Sequence, residues 1–122
     1  MKIPLILFLC LFPLSAAAIC KDWSDTDTVL AASFTTVQTL DYLQTRSFLR
    51  DPERRESNPI IGPRPSYERL AILNLLTLAA VLGSACYLDV PFRRALLGGA
   101  ITIELLTVVY NRQVDMRIVH RF

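Results

Sequence analysis

Apolar stretches and arginines alternate along this chain. An apolar leader, Ile3–Pro13, opens it. Three further segments, Thr28–Phe48, Leu70–Leu88 and Ala95–Tyr110, are long and apolar enough for a bilayer to serve as their solvent. The arginines fall almost entirely in the links and tail between them. This pattern predicts an all-α protein: a signal peptide followed by a small three-helix transmembrane bundle, or four helices if the leader is not cleaved.

The element boundaries follow from local chemistry. Ser24-Asp25-Thr26-Asp27 reads as a helix start, with a serine cap and acids in the first turn, where the helix dipole favours them. Asp51-Pro52 should stop that helix, because the residue before proline resists helical geometry. Gln38, Asp41 and Gln44 interrupt the first segment, so an amphipathic helix lying on the membrane surface is the alternative there. Ser66 can cap the second helix, and Leu70–Leu88 is its span, roughly 28 Å long at 1.5 Å per residue. Asp89–Arg94 is a short turn, which makes the second and third helices antiparallel neighbours. Ala95–Tyr110 covers only roughly 24 Å, and Arg93 and Arg94 are expected to snorkel and lengthen it. The expected layout is a signal peptide over 1–18 and one membrane domain over 19–122. Its helices lie at about 25–50, 67–89 and 93–111, with a cytoplasmic link over 51–66.

The leader sets the compartment. Met1-Lys2 is a short positive region, Ile3–Pro13 the apolar region, and Ala16-x-Ala18 the small-residue pattern a signal peptidase accepts, so cleavage is expected after Ala18. An uncleaved anchor is the rival, and both export Lys21–Asp27. With the N-terminus outside, the first link places Arg46, Arg50, Arg54, Arg55, Arg64 and Arg69 inside, and the tail adds Arg112, Arg117 and Arg121. Lys21, Arg93 and Arg94 remain outside. The positive-inside bias therefore agrees with the leader, and the expected location is the inner (cytoplasmic) membrane, multi-pass, with the C-terminus in the cytoplasm. Trp23, Tyr67, Tyr87, Phe92 and Tyr110 fall at predicted helix ends, as an aromatic belt would.

Composition narrows the functions. The chain is 52% hydrophobic, and a soluble domain of 122 residues can bury only part of that apolar surface. A net charge of +2 supplies no field for nucleic acid, and no Cys/His spacing suits zinc, so neither a metal nor a cofactor is expected. The expected partner is the lipid bilayer, with other envelope proteins or further copies of the chain beside it.

Asp41, Asn74 and Glu104 stand inside the predicted spans, where a charge costs about 2.5–3.5 kcal/mol on insertion scales. Counted along each helix they lie roughly 10, 6 and 9 Å from the inner edge, so the three are expected to meet in one cytoplasmic-half layer. Gln38, Asp41, Gln44 and Thr45 share one side of the first helix, and Ala100, Glu104, Thr107 and Asn111 form one stripe of the third. The layer reads either as glue between helices or as a proton or cation site; no nucleophile or oxyanion device accompanies it. Cys20 and Cys86 both fall at the outer edge, where a disulfide is within reach in an oxidising compartment; two unrelated thiols is the alternative. Cys10 leaves with the leader.

Asp41-Tyr-Leu-Gln44-Thr45, followed by Glu56-Ser-Asn58-Pro59-Ile-Ile-Gly62, resembles a pattern in small membrane proteins of tailed phages, prophages and bacteria. The resemblance covers most of the mature chain. It implies the three-helix layout and singles out Asp41, Gln44, Thr45, Glu56, Asn58, Pro59 and Gly62, but it carries no activity over. Read physically, Asn58-Pro59 starts a turn and Gly62 tolerates positive φ. Alternatively the link folds back, so that Glu56 and Asn58 complete the intramembrane layer. Three function classes follow. One is a non-enzymatic envelope protein acting by contacts, in lysis support or exclusion of other phages. The second is a small oligomeric proton or cation conductor using Asp41 and Glu104. The third, least favoured, is an intramembrane metal-dependent enzyme.

Overall fold

A computed structural model describes residues 18–50 and 64–113. Among these the chain is helical, with no strand: α1 (Asp25–Phe48), α2 (Tyr67–Tyr87) and α3 (Val90–Gln113). The leader up to residue 17, the link motif Glu56, Asn58, Pro59 and Gly62, and the tail from residue 114 lie outside the described residues.

Each helix start has a local cause. Ser24 caps α1 in a capping box: its side chain accepts from the Asp27 backbone N–H at 3.3 Å, and the Asp27 carboxylate accepts from the Ser24 N–H at 3.0 Å. Ser66 caps α2 by accepting from the Arg69 N–H. α3 begins three residues before the expected 93. Val90-Pro91 sits in the first turn, where proline removes no helical bond, and the Arg93 N–H donates to the Asp89 carbonyl at 2.8 Å. α1 stops at Phe48, two residues short of the expected 50, and Leu49 closes it by donating to the Thr45 carbonyl. Only Leu88 and Asp89 separate α2 from α3, so these two helices form a hairpin.

α1 packs along α3 most extensively, and α2 packs against both. The apolar core is small and sits toward the hairpin end: Ala31 and Phe34 from α1, Leu78, Leu82 and Ala85 from α2, and Leu97 from α3. Leu78, Leu82 and Ala85 follow the four-then-three spacing of one helical stripe. Trp23, Val81, Leu96 and Ile101 pack around this cluster.

Cys20, Leu49 and Leu70 are buried apart from this cluster, and the remaining buried positions are polar. Asp27, Thr35, Gln38, Gln44, Thr45, Asn74, Arg93 and Asn111 are all buried. Other large apolar residues of α2 and α3 point outward: Leu76 is 60% exposed, Ile103 65% and Leu106 66%. Among the described residues one helix, α2, is long and apolar enough to cross a membrane, with a mean hydropathy of 1.9.

Candidate functional site

The buried polar residues gather at two levels. The first lies at the hairpin end. Cys20 and Cys86 are joined by a disulfide with a Cα–Cα distance of 4.8 Å, which ties the segment before α1 to the end of α2. Beside it Arg93, 1% exposed, does not snorkel as expected but turns inward from the first turn of α3. Its Nε donates to the Ala85 carbonyl at 2.8 Å, one of the last carbonyls of α2, which lack helical partners. Its Nη2 donates to the Lys21 carbonyl at 2.7 Å, and its Nη1 to the Asp22 carbonyl and to Asp27 Oδ2, both at 3.1 Å. The Trp23 ring lies over the guanidinium, 5.0 Å from centroid to Cζ, and is held there by its Nε1–H donating to Thr28 Oγ1.

A buried guanidinium needs this much. Arginine cannot shed its charge, so desolvation must be offset by partners on several of its N–H groups. The wrong-hand helix dipole at the start of α3 adds to the cost, while the carboxylate of Asp27 and the carbonyl end of α2 offset it. Asp27 also accepts from Arg94 Nε at 3.4 Å. Burial alone would push the Asp27 carboxyl up. The Ser24 backbone and hydroxyl bonds, with those from Arg93 and Arg94, outweigh burial and hold it below its ordinary value.

The second level lies toward the arginine-rich end. Gln38 Nε2 donates to Asn74 Oδ1 at 2.9 Å, linking α1 to α2. Asn111 Nδ2 donates to Asp41 Oδ1 at 2.8 Å and reaches Gln44 Oε1 at 3.4 Å, while Gln44 Nε2 donates to the Val108 carbonyl at 3.3 Å. Thr45 is buried beside them. The residues expected in a single layer are thus divided. Asn74 pairs with Gln38, one turn before Asp41 on α1. Asp41 and Gln44 pair with Asn111 of α3. Glu104 is half-buried and within Coulombic range of Asp41. An amide reaches across a close helix contact as readily as a carboxylate and without its desolvation cost, and the amides of Gln38 and Asn111 are the partners of Asn74 and Asp41.

The hairpin-end cluster was not foreseen from sequence beyond the two cysteines. A usable signal existed, since Asp27, Arg93, Cys20 and Cys86 all fall at one predicted end, and a carboxylate and an arginine at the same depth are candidates to pair. At that end a shallow pocket of about 480 Å³ is walled on one side by Ile19, Lys21 and Asp22 and on the other by Cys86 to Pro91. Among the described residues no group of three or more His, Cys, Asp or Glu side chains is placed to hold a metal ion. No protein family, curated protein or solved structure matches the chain.

Proposed function

We propose that this chain is a small integral membrane protein of the bacterial cell envelope that works by contacts rather than by catalysis. The observation that carries the reading is the inverted distribution of polarity: amides, a carboxylate and a guanidinium inside, and isoleucine and leucine outside. In water such a surface would be an aggregation hazard, whereas in lipid it is the stable arrangement. The hydroxyls fit the same solvent. Thr36, Thr77 and Thr102 face outward, yet each donates to the carbonyl four residues back in its own helix. That satisfies the hydroxyl without water.

On this reading Thr28–Phe48, Leu70–Leu88 and Ala95–Tyr110 are the spans. The interruptions that lower the hydropathy of α1 and α3 are largely side chains turned toward the other helices. The two ends differ in a way that supports one orientation. The hairpin end holds the disulfide, a bond suited to an exported, oxidising compartment. The opposite end holds Arg46, Arg50, Arg64, Arg69 and Arg112, as a cytoplasmic face does. The resemblance to small phage and prophage membrane proteins carries no activity over, but in such a setting contact with envelope partners or further copies would serve lysis support or exclusion of other phages.

Cysteines substituted singly at Glu68 and at Asp89 test the topology in intact bacteria. A membrane-impermeant maleimide should label Asp89→Cys at once and Glu68→Cys only after lysis. The reverse pattern, or a protein that stays monodisperse in detergent-free buffer, overturns the reading.

A second reading, a small oligomeric proton or cation conductor, draws on Asp41, which Asn111 joins to Gln44, lying within Coulombic range of Glu104. Purified protein in liposomes should then dissipate a pH gradient, and Glu104→Gln should stop it. Absence of flux from the wild-type protein ends that reading.

A further inference from the structure

Arg93 does more than neutralise Asp27. Its Nη2 holds the carbonyl of Lys21, which follows Cys20 in the chain. Its Nε holds the carbonyl of Ala85, which precedes Cys86. One side chain therefore grips the backbone immediately beside both halves of the disulfide. It also collects the Asp22 carbonyl and the Trp23 ring, so four consecutive residues, Cys20 to Trp23, are fastened to the end of the α2–α3 hairpin. Asp22 has φ 52°, in the left-handed region. That bend accompanies two successive carbonyls converging on one guanidinium, where an extended strand would point them to opposite sides.

The geometry points to Arg93 as the positioning residue for the Cys20–Cys86 pair: docking of Cys20–Trp23 on the guanidinium and oxidation of the two thiols are one linked event. In the reduced chain Arg93 already has reason to collect these carbonyls, since its own burial is costly without them. Collecting them places Cys20 against Cys86 and raises the effective concentration of one thiol at the other. Linkage makes the effect mutual: whatever Arg93 contributes to closing the bridge, the bridge contributes to holding the segment on Arg93. The chemistry is thiol–disulfide exchange with an external disulfide. The two thiols together give up two electrons and two protons. The donor disulfide takes both and leaves as two thiols, by way of a mixed disulfide on one cysteine. The bridge also fastens the two walls of the pocket lined by Ile19, Lys21 and Asp22 on one side and by Tyr87, Leu88 and Asp89 on the other. Reduction would therefore leave those walls held by Arg93 alone. The inference goes beyond the membrane reading and stands without it, because it concerns only the equilibrium between thiols and disulfide in the folded chain.

The test is titration of purified, detergent-solubilised protein in buffers of reduced and oxidised glutathione, with free thiols trapped by a maleimide polymer and resolved by gel mobility. A Cys10→Ser background leaves only the two relevant thiols. Replacing Arg93 should lower the equilibrium constant for the bridge by about tenfold or more, the worth of one charge-assisted hydrogen bond. Arg93→Gln removes the charge. Arg93→Lys keeps it beside Asp27 but cannot reach the Lys21 and Ala85 carbonyls together, and it guards against a variant that simply fails to fold. The emission of Trp23, the chain's single tryptophan, should change on reduction of the wild-type protein and lie near its reduced-state value in both variants whatever the redox buffer. An equilibrium constant for Arg93→Lys within about twofold of wild type, the scatter expected of unconnected sites, overturns the proposal. So does a folded wild-type protein whose Trp23 emission is the same reduced and oxidised.

Discussion

Asp27 and Arg93, 66 residues apart in the chain, meet at 3.1 Å with both side chains withdrawn from solvent. The contact joins the first turn of α1 to the first turn of α3 and fixes how the two helices start relative to each other. Breaking it from one side leaves a buried charge without its partner. Asp27→Asn should therefore destabilise the fold by about 3 kcal/mol, and Arg93→Met by at least as much. The double variant should cost less than the sum of the two, because neither orphaned charge then remains. Unfolding by denaturant in mixed micelles measures all three. Additive losses would show that the pair is not coupled.

The same carboxylate predicts an acid limit. Asp27 is held below its ordinary value of 3.8, despite the burial that opposes this, by bonds from Ser24, Arg93 and Arg94. A carboxyl whose folded-state value is depressed contributes stability that is fully present above the unfolded value. That stability is lost as pH falls through the folded one. The melting temperature should thus fall with a slope attributable to Asp27 only below about pH 3.8. In Asp27→Asn that part of the slope should vanish. A wild-type slope that persists unchanged in the variant assigns the acid sensitivity to other carboxyls.

Asp22 occupies the left-handed region at φ 52°. Aspartate tolerates this better than most residues, but a glycine has no Cβ to strain. Asp22→Gly should keep the Lys21 and Asp22 carbonyls on Arg93 and stabilise by about 0.5 kcal/mol, the released strain outweighing the looser unfolded chain. Asp22→Val should destabilise by more than about 1 kcal/mol, since a β-branched residue is least at home there. Equal stability of the two variants would mean that the bend is not held in the folded protein.

Much of the architecture is legible in the order of residues. Ser24 and Ser66 mark two helix starts because each puts a hydroxyl over orphan backbone N–H groups. The end of the apolar run at Leu88 marks the hairpin, although the turn expected over Asp89–Arg94 is only Leu88 and Asp89, and Val90–Arg94 are already helical. The start of α3 is less legible, because a helix that opens on Val90-Pro91 has no serine or threonine cap to announce it. The polar contacts are the least legible. Depth along a helix can be counted, so Asp41, Asn74 and Glu104 read as one layer. Which side chain each meets depends on how the helices rotate about their axes. Spacing within one helix does not determine that, and Asn74 finds Gln38 while Asp41 finds Asn111. Arg93 is illegible for a different reason. Its place at an apparent membrane edge suggests a side chain reaching for water, but the carbonyls of a segment 71 residues away, with the Ala85 carbonyl and the Asp27 carboxylate, turn it inward.

Gln38 and Asn74 supply the sharpest test of that rotation. Their bond at 2.9 Å is the buried polar link between α1 and α2, and Gln38 Oε1 makes no hydrogen bond of its own. Gln38→Leu leaves the Asn74 carbonyl oxygen buried without its donor, and Asn74→Leu leaves the Gln38 amide in the same state, so each should destabilise. The double variant replaces a half-satisfied pair by apolar contact between helices and should recover much of the loss. On the proposed membrane reading, the interaction energy across the cycle is expected near 0.6 kcal/mol, about the average for hydrogen bonds between membrane helices. It should approach zero for Gln38 with Asn111, which share no direct bond. Coupling that is larger for Gln38 with Asn111 than for Gln38 with Asn74 would mean that α1 is turned about its axis relative to the arrangement described, and the assignment of Asp41 and Gln44 to Asn111 would change with it.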